Sequence, residues 1–279
     1  MTYAMGWFST GRDEAARELL QRVYENISSG VIPGKISYVF CNRRPGETIE
    51  SDRFIELAKM LDIKVIFVSS SEYEPHLRLA SSEIWRTKYH EEVMNRVDKY
   101  GATVIVLAGY MLIVSPEMCR RYTMINLHPA KSGGPKGTWQ EVIWQLIENR
   151  ASETGVMIHL VTERLDEGPP ITYCTFRIRG GVFDPLWDDL ERKLAEKRMA
   201  EIIGEGEGNP LFMEIRRQGV RRETPLIILT LKALAEGRVR VAEGKVVNER
   251  GEEIGAMFLN TEIEGYLRGR NRDDEDKAI

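Results

Sequence analysis

The sequence predicts an α/β protein built on a mostly parallel, Rossmann-like sheet with helices on both faces, followed by a helical and β-hairpin C-terminal extension. Strand-like and helix-like segments alternate regularly up to about residue 180. The strands are continuous apolar, β-branched runs such as "IKVIFVS" and "TVIVLAG", as expected of strands covered on both faces. Glycine, proline and short polar clusters punctuate the chain between them.

The elements follow in order. "YAMGWFS" (3–9) is a first strand, and residues 10–30 place Leu19, Leu20, Val23 and Ile27 at helical spacing. Strands at 35–41 and 63–69 flank a helix at 51–62. A long helix from Glu83 to Lys99 leads into a strand at 103–109. "PEMCRRY" is a short helix, "MINLH" (124–128) a strand, and "TWQEVIWQLIENR" (138–150) a helix. Strands follow at 155–162 and 170–178. After Asp184 the pattern turns helical, over 185–203, 210–219 and 224–237, with "EGEGNP" as a break. Residues 238–255 read as a small hairpin, and "NRDDEDKAI" as a charged, frayed tail. The expected division is a catalytic domain over 1–190 and, over 191–279, a helical insertion, closing helix, hairpin and tail.

The 279 residues are 42% hydrophobic and 29% charged with a net charge of −4, an ordinary soluble balance that calls for neither nucleic acid nor an anionic membrane as partner. The longest apolar run, "TVIVLAGYMLIV", is too short to span a bilayer. The N-terminus lacks the basic flank of a signal peptide. Cys41, Cys119 and Cys174 show no CxxC spacing and suit a reducing cytoplasm. The four histidines show no metal-ligand spacing, so no metal is expected.

In open α/β sheets ligands sit at the carboxyl ends of the strands. "FSTGRD", "LAGYMLIVSP", "NLHPAKSGG" and "TERLDEGPP" should all project from that edge. Residues i and i+2 of a strand face the same side, so Asn126 and His128 point together, and Pro129 stops the strand there. An amide donor beside an imidazole can polarise a carbonyl; the structural alternative is a capped strand end. Asp166, in a turn tightened by Gly168 and Pro169, supplies a carboxylate, with Glu167 competing for that role. A carboxylate beside an imidazole fixes its tautomer and favours its charged form. Gly11, Arg12 and Asp13 open a helix whose N–H groups suit a phosphate, or else form an ordinary N-cap. Tyr110 to Val114 is apolar at the ligand edge and would line a pocket for a flat aromatic ligand, if it is not simply core.

Taken together, "VIVLAGYMLIVSPEM", "INLHPA" and "TGVMIHLVTERLDEGPPI", in that order, resemble the folate-dependent formyltransferase family. The resemblance runs from about residue 4 to 190 and resumes at 224–250. It implies transfer of a formyl group from 10-formyltetrahydrofolate to a small-molecule substrate carrying a phosphate and a primary amine. The acceptor it implies is glycinamide ribonucleotide, with an amino sugar nucleotide or a non-catalytic binding role as alternatives; methionyl-tRNA is disfavoured by the acidic charge and the short C-terminal extension. A homodimer is an assembly left open. By the resemblance, Asn126 and His128 stabilise the developing oxyanion, and Asp166 holds His128 protonated and helps take the amine proton. Met111, Leu112, Ile113 and Val114 match the pterin-binding loop, and Arg86 a basic residue near the folate. Gly11, Arg12 and Asp13 fall on the phosphate-holding loop.

The chain also departs from the family pattern. "AKSGGPKG" replaces serine–leucine–leucine–proline after His128-Pro129, and Leu112 stands where relatives have arginine. Met157 replaces a small hydroxyl residue, and the phosphate loop lacks its Asn/Ser pair. An insertion over 191–223 brings Arg216, Arg217, Arg221 and Arg222, whose spacing suits either a phosphate grip or a solvated basic face.

Overall fold

A computed structural model describes residues 2–276. The α/β alternation is present in order: β1 (Tyr3–Ser9), α1 (Glu14–Ser28), β2 (Gly34–Cys41), α2 (Ile49–Met60), β3 (Val65–Phe67), α3 (Pro75–Ala80), α4 (Ser82–Val97), β4 (Val104–Leu107), α5 (Pro116–Arg121) and β5 (Met124–His128). Then come α6 (Trp139–Glu148), β6 (Glu153–Leu160), β7 (Pro170–Arg177), α7 (Asp184–Leu194), α8 (Met199–Ile203) and α9 (Pro210–Ala235). The chain ends in β8 (Val239–Ala242), β9 (Lys245–Asn248), β10 (Met257–Phe258) and α10 (Asn260–Asp276). The main sheet has the order β10-β7-β6-β5-β4-β1-β2-β3, and β8–β9 is a separate antiparallel pair. Among the described residues no helix is long and apolar enough to cross a membrane.

Two compact units are distinguished. The first takes the chain up to Leu127, His159–Pro169 and Ile228–Ile254. Within it β1 pairs in parallel with both β2 and β4, β2 with β3, and β4 with β5. The chain leaves β1 toward β2 and β3, then returns to place β4 and β5 on the other side. That reversal between β1 and β4 is the topological switch point, where the two strand ends leave a crevice. All four residues of β4 are buried, which is why its sequence is unbroken Val-Ile-Val-Leu. Phe8, Tyr38, Phe40, Tyr89, Tyr110 and Met118 form the core beneath the switch point. Phe8 meets Phe40 at 4.6 Å and Tyr110 edge-on at 5.5 Å between ring centres. Each such ring is worth ~1.5–3 kcal/mol of burial.

The second unit takes His128–Ile158, Pro170–Ile227 and Gly255 onward. Here β10 pairs in parallel with β7. Thr138 and Glu141 start α6 with a reciprocal capping box. Asn260 fixes the start of α10: its Oδ1 accepts the Thr175 N–H at 2.8 Å and its Nδ2 donates to the Thr175 carbonyl at 3.1 Å.

Several boundaries differ from expectation. The helices expected at 210–219 and 224–237 are one helix, α9, with Pro225 inside it. An interior proline costs ~3 kcal/mol, but Leu226, Ile227, Ile228 and Leu231 are all buried just beyond it and offset that cost. The helix expected over 185–203 breaks before Arg198, whose backbone is extended. The short α3 was not expected, and α10 continues through 271–276, where a frayed tail was expected. Residues 277–279 of that tail lie outside the described residues.

Candidate active site

The loop after β1 is shaped by Gly11, at φ 60°, where a Cβ would stand 2.9 Å from Phe54 Cβ. Its N–H donates to Ser9 Oγ at 3.1 Å. Asp13 is the N-cap of α1, its Oδ1 accepting the Ala16 N–H at 3.0 Å, the ordinary cap among the two alternatives for this loop. Arg12 is exposed, 3.8 Å from the Asp13 carboxylate and 3.8 Å from Met111 Sδ.

Across the switch point lies the loop after β4. Gly109 has φ 71° and turns the chain. Tyr110 and Val114 are buried, whereas Met111 and Ile113 are 51% and 44% exposed. Large apolar side chains left open beside a strand end are a ligand-wall composition. Thr10 ties this loop to the first: its N–H donates to the Gly109 carbonyl at 3.0 Å, and its Oγ1 accepts the Met111 N–H at 2.9 Å. Arg86 is half-buried on α4. Its carbonyl lies 3.0 Å from Nδ1 of His90, a histidine one turn further along.

Of the residues expected to do chemistry, Asn126 and Asp166 meet through a third, His159. Asn126 Nδ2 lies 3.2 Å from His159 Nε2, and Asp166 Oδ1 3.7 Å from the same nitrogen. His159 Nδ1 is 3.0 Å from the Leu160 carbonyl. With a proton on Nδ1 donated to that carbonyl, Nε2 is free of hydrogen and accepts from the Asn126 amide. Both the His159 and Asp166 side chains are nearly excluded from solvent. Asp166 adopts φ 54°, a left-handed conformation that Asp tolerates. Gly168 closes the same turn, and a Cβ there would lie 1.6 Å from the Leu160 carbonyl oxygen.

His128, in the second unit, is buried, and its Nε2 lies 3.0 Å from the Pro135 carbonyl. That contact comes from the "KSGGPKG" loop, in which Gly133 and Gly137 take φ 73° and 109°. Among the arginines of α9, Arg216 pairs with Glu223 and stacks over Trp139, and Arg217 pairs with Glu214. Arg222 pairs with Glu264 over the Phe176 ring. These three charges already have carboxylate partners. Among the described residues no group of three His, Cys, Asp or Glu side chains could hold a metal ion.

Sequence reasoning missed His159, Thr10 and His90. A lone histidine in an apolar strand or on a helix face has no spacing to give it away. The only available signal was the polar interruption of "GVMIHLVT" near its strand end.

Residues 16–181 match the formyl transferase family over more than half of the chain. The chain belongs to that family. This formyl transferase family member is 30% identical over 154 residues to the phosphoribosylglycinamide formyltransferase of Escherichia coli K12, covering 54% of this chain and 64% of that relative. It is 29% identical over 161 residues to the same-named protein of Schizosaccharomyces pombe, covering 54% and 73%. In fold it resembles the phosphoribosylglycinamide formyltransferase of Coxiella burnetii, with a TM-score of 0.65 at 20% identity over 92% of this chain and 99% of that one.

Proposed function

We propose that this protein transfers the formyl group of 10-formyltetrahydrofolate to the amine of glycinamide ribonucleotide. The observation that carries this reading is the junction of Asn126, His159 and Asp166 in the unit whose switch-point loop exposes Met111 and Ile113. The names of the E. coli and S. pombe relatives support the choice of acceptor.

The exposed apolar stretch Met111–Val114 suits the flat face of the folate, with Arg86 as its neighbouring cation. The folate supplies the formyl carbon. Asn126 donates an amide N–H to the oxygen that gains charge as the amine nitrogen attacks. His128, two residues along β5, supplies the second donor and the proton that leaves with the departing amine of the folate. Asp166 receives the proton lost by the attacking amine, directly or through water. Two donors on one developing oxyanion are worth several kcal/mol of barrier, by analogy with the ~3–4 kcal/mol lost on removing one such donor elsewhere. The loop of Gly11, Arg12 and Asp13 receives the phosphate of the acceptor on its backbone, with Arg12 as the charge and the Asp13 carboxylate kept at the Ala16 N–H.

A second acceptor remains a specific competitor because Arg216, Arg217 and Arg222 are each paired with a carboxylate and the loop after His128 is glycine-rich. That reading keeps the chemistry and changes the amine. The test follows consumption of 10-formyltetrahydrofolate with and without glycinamide ribonucleotide. Amine-dependent turnover that is abolished in His128→Ala and Asp166→Asn, both still binding folate, is the expected result. Turnover with another amine alone moves the assignment to that amine, and wild-type turnover in either variant removes the mechanism.

A further inference from the structure

His90 is fully buried on α4 and has no part in the chemistry above. Its two ring nitrogens reach the two ends of one loop. Nε2 lies 3.2 Å from the Tyr110 hydroxyl, and the Ser115 N–H donates to Nδ1 at 3.2 Å. Between these anchors lie Met111, Leu112, Ile113 and Val114, two of them exposed apolar side chains. Such a segment, left to itself, lowers its free energy by folding its apolar side chains inward. Something must hold it open.

The tautomer decides whether His90 does so. Nδ1 also lies 3.0 Å from the Arg86 carbonyl, one turn back on α4. Without a proton, Nδ1 accepts from Ser115, and the proton on Nε2 is donated to Tyr110. With a proton, Nδ1 turns to the Arg86 carbonyl and the buried Ser115 N–H loses its acceptor. Ser115 is also the N-cap of α5, its hydroxyl accepting the Met118 N–H at 3.4 Å, so its placement sets the start of that helix.

We propose that His90, as the neutral tautomer carrying its proton on Nε2, is a positioning residue for folate binding: it clamps both ends of the 110–115 loop in the shape that receives the pterin ring. The proposal rests on the reading of that loop as the folate wall. A purely space-filling role for His90 makes different predictions. His90→Leu keeps the apolar volume and removes both bonds. His90→Asn places an amide oxygen close to the Nδ1 position and returns the acceptor for Ser115.

Two readouts on the full chain test the clamp: affinity for 10-formyl-5,8-dideazafolate by calorimetry, and hydrogen exchange of the peptide spanning 110–118. In His90→Leu the folate analogue binds about tenfold or more weakly, as expected for one to two lost buried bonds. Turnover at saturating folate changes far less, and the loop exchanges faster. His90→Asn recovers most of both. Wild-type affinity and exchange in folded His90→Leu overturn the proposal, as does an Asn variant no better than the Leu variant. Should His90→Leu not fold, Tyr110→Phe removes one bond alone. A smaller loss of affinity with faster exchange at the start of the loop supports the clamp, and no change in either overturns it. If wild-type protein does not bind the folate analogue, the functional reading falls. The exchange measurement still decides whether His90 holds the loop.

Discussion

Asn126 and Asp166 converge on one atom. His159 Nε2 lies 3.2 Å from the amide nitrogen of the first and 3.7 Å from a carboxylate oxygen of the second. Nε2 thus stands between an amide donor and a carboxylate, and with the ring proton on Nδ1 it accepts from the amide. His159→Leu leaves the Asn126 amide without this partner and removes the group between it and Asp166. The expected result is a fall in kcat of about 10- to 100-fold with KM for folate nearly unchanged, the size of losing one oriented buried bond. Steady-state kinetics check it; a kcat equal to wild type removes His159 from the proposed cluster.

Gly168 approaches the Leu160 carbonyl so closely that an added Cβ would lie 1.6 Å from its oxygen. Backbone cannot yield as a flexible side chain does. Gly168→Ala therefore loses about 3 kcal/mol or more of stability. Gly219, inside α9, has nothing within 4 Å of such a Cβ. Gly219→Ala gains about 0.5–1 kcal/mol through helix propensity. Urea midpoints of the pair should move in opposite directions.

Thr10 holds the two switch-point loops together, with its hydroxyl oxygen as the acceptor for Met111 N–H. Thr10→Val keeps the shape and removes that acceptor. About 1–3 kcal/mol of destabilisation is expected from the unpaired N–H, together with weaker folate binding. Calorimetric titration of folate against thermal unfolding separates the two effects, and unchanged affinity would falsify the role of this tie.

Burial pushes the pKa of His90 from 6.5 down to about 4; the nearby Arg86 guanidinium lowers it further, while the Arg86 carbonyl and the Glu117 carboxylate oppose this. Tyr89 and Tyr110 are its other ring neighbours. The folded protein therefore binds fewer protons at this site than the unfolded chain between about pH 4 and 6.5. Stability from this group is fully present above pH 6.5 and declines as the pH falls toward 4, by about 3 kcal/mol in all. His90→Asn should flatten that part of the stability profile. Urea midpoints from neutral pH down to about pH 4 test it, and equal slopes in both proteins count against it.

How much of this was legible in the sequence depended on where the determining contact lay. β4 could be read because both its faces are buried, and four apolar residues in a row fit a doubly covered strand better than a half-exposed one. Asn126 and His128 stood out through strand alternation and a following proline. α9 was misread because Pro225 is a local signal, while the burial of Leu226 to Leu231 that outweighs it is tertiary. The arginines of α9 were ambiguous for the same reason: Glu264, the partner of Arg222, is 42 positions away. His159 and His90 act through backbone carbonyls, an N–H and single side chains, none of which leaves a spacing in the sequence.

The first unit is discontinuous in sequence, drawing on the chain up to Leu127, then His159–Pro169, then Ile228–Ile254. Its last stretch leaves the ribosome only after the intervening residues of the second unit have been made. The unit as a whole is completed only after that stretch has been made, and closure over so long a sequence separation is slow. A nascent chain halted before residue 228 should be protease-sensitive and in need of a chaperone, however strong its strand propensities. A fragment meant to hold the whole first unit must therefore retain residues 228–254, although they lie far in sequence from the loop at 110–115.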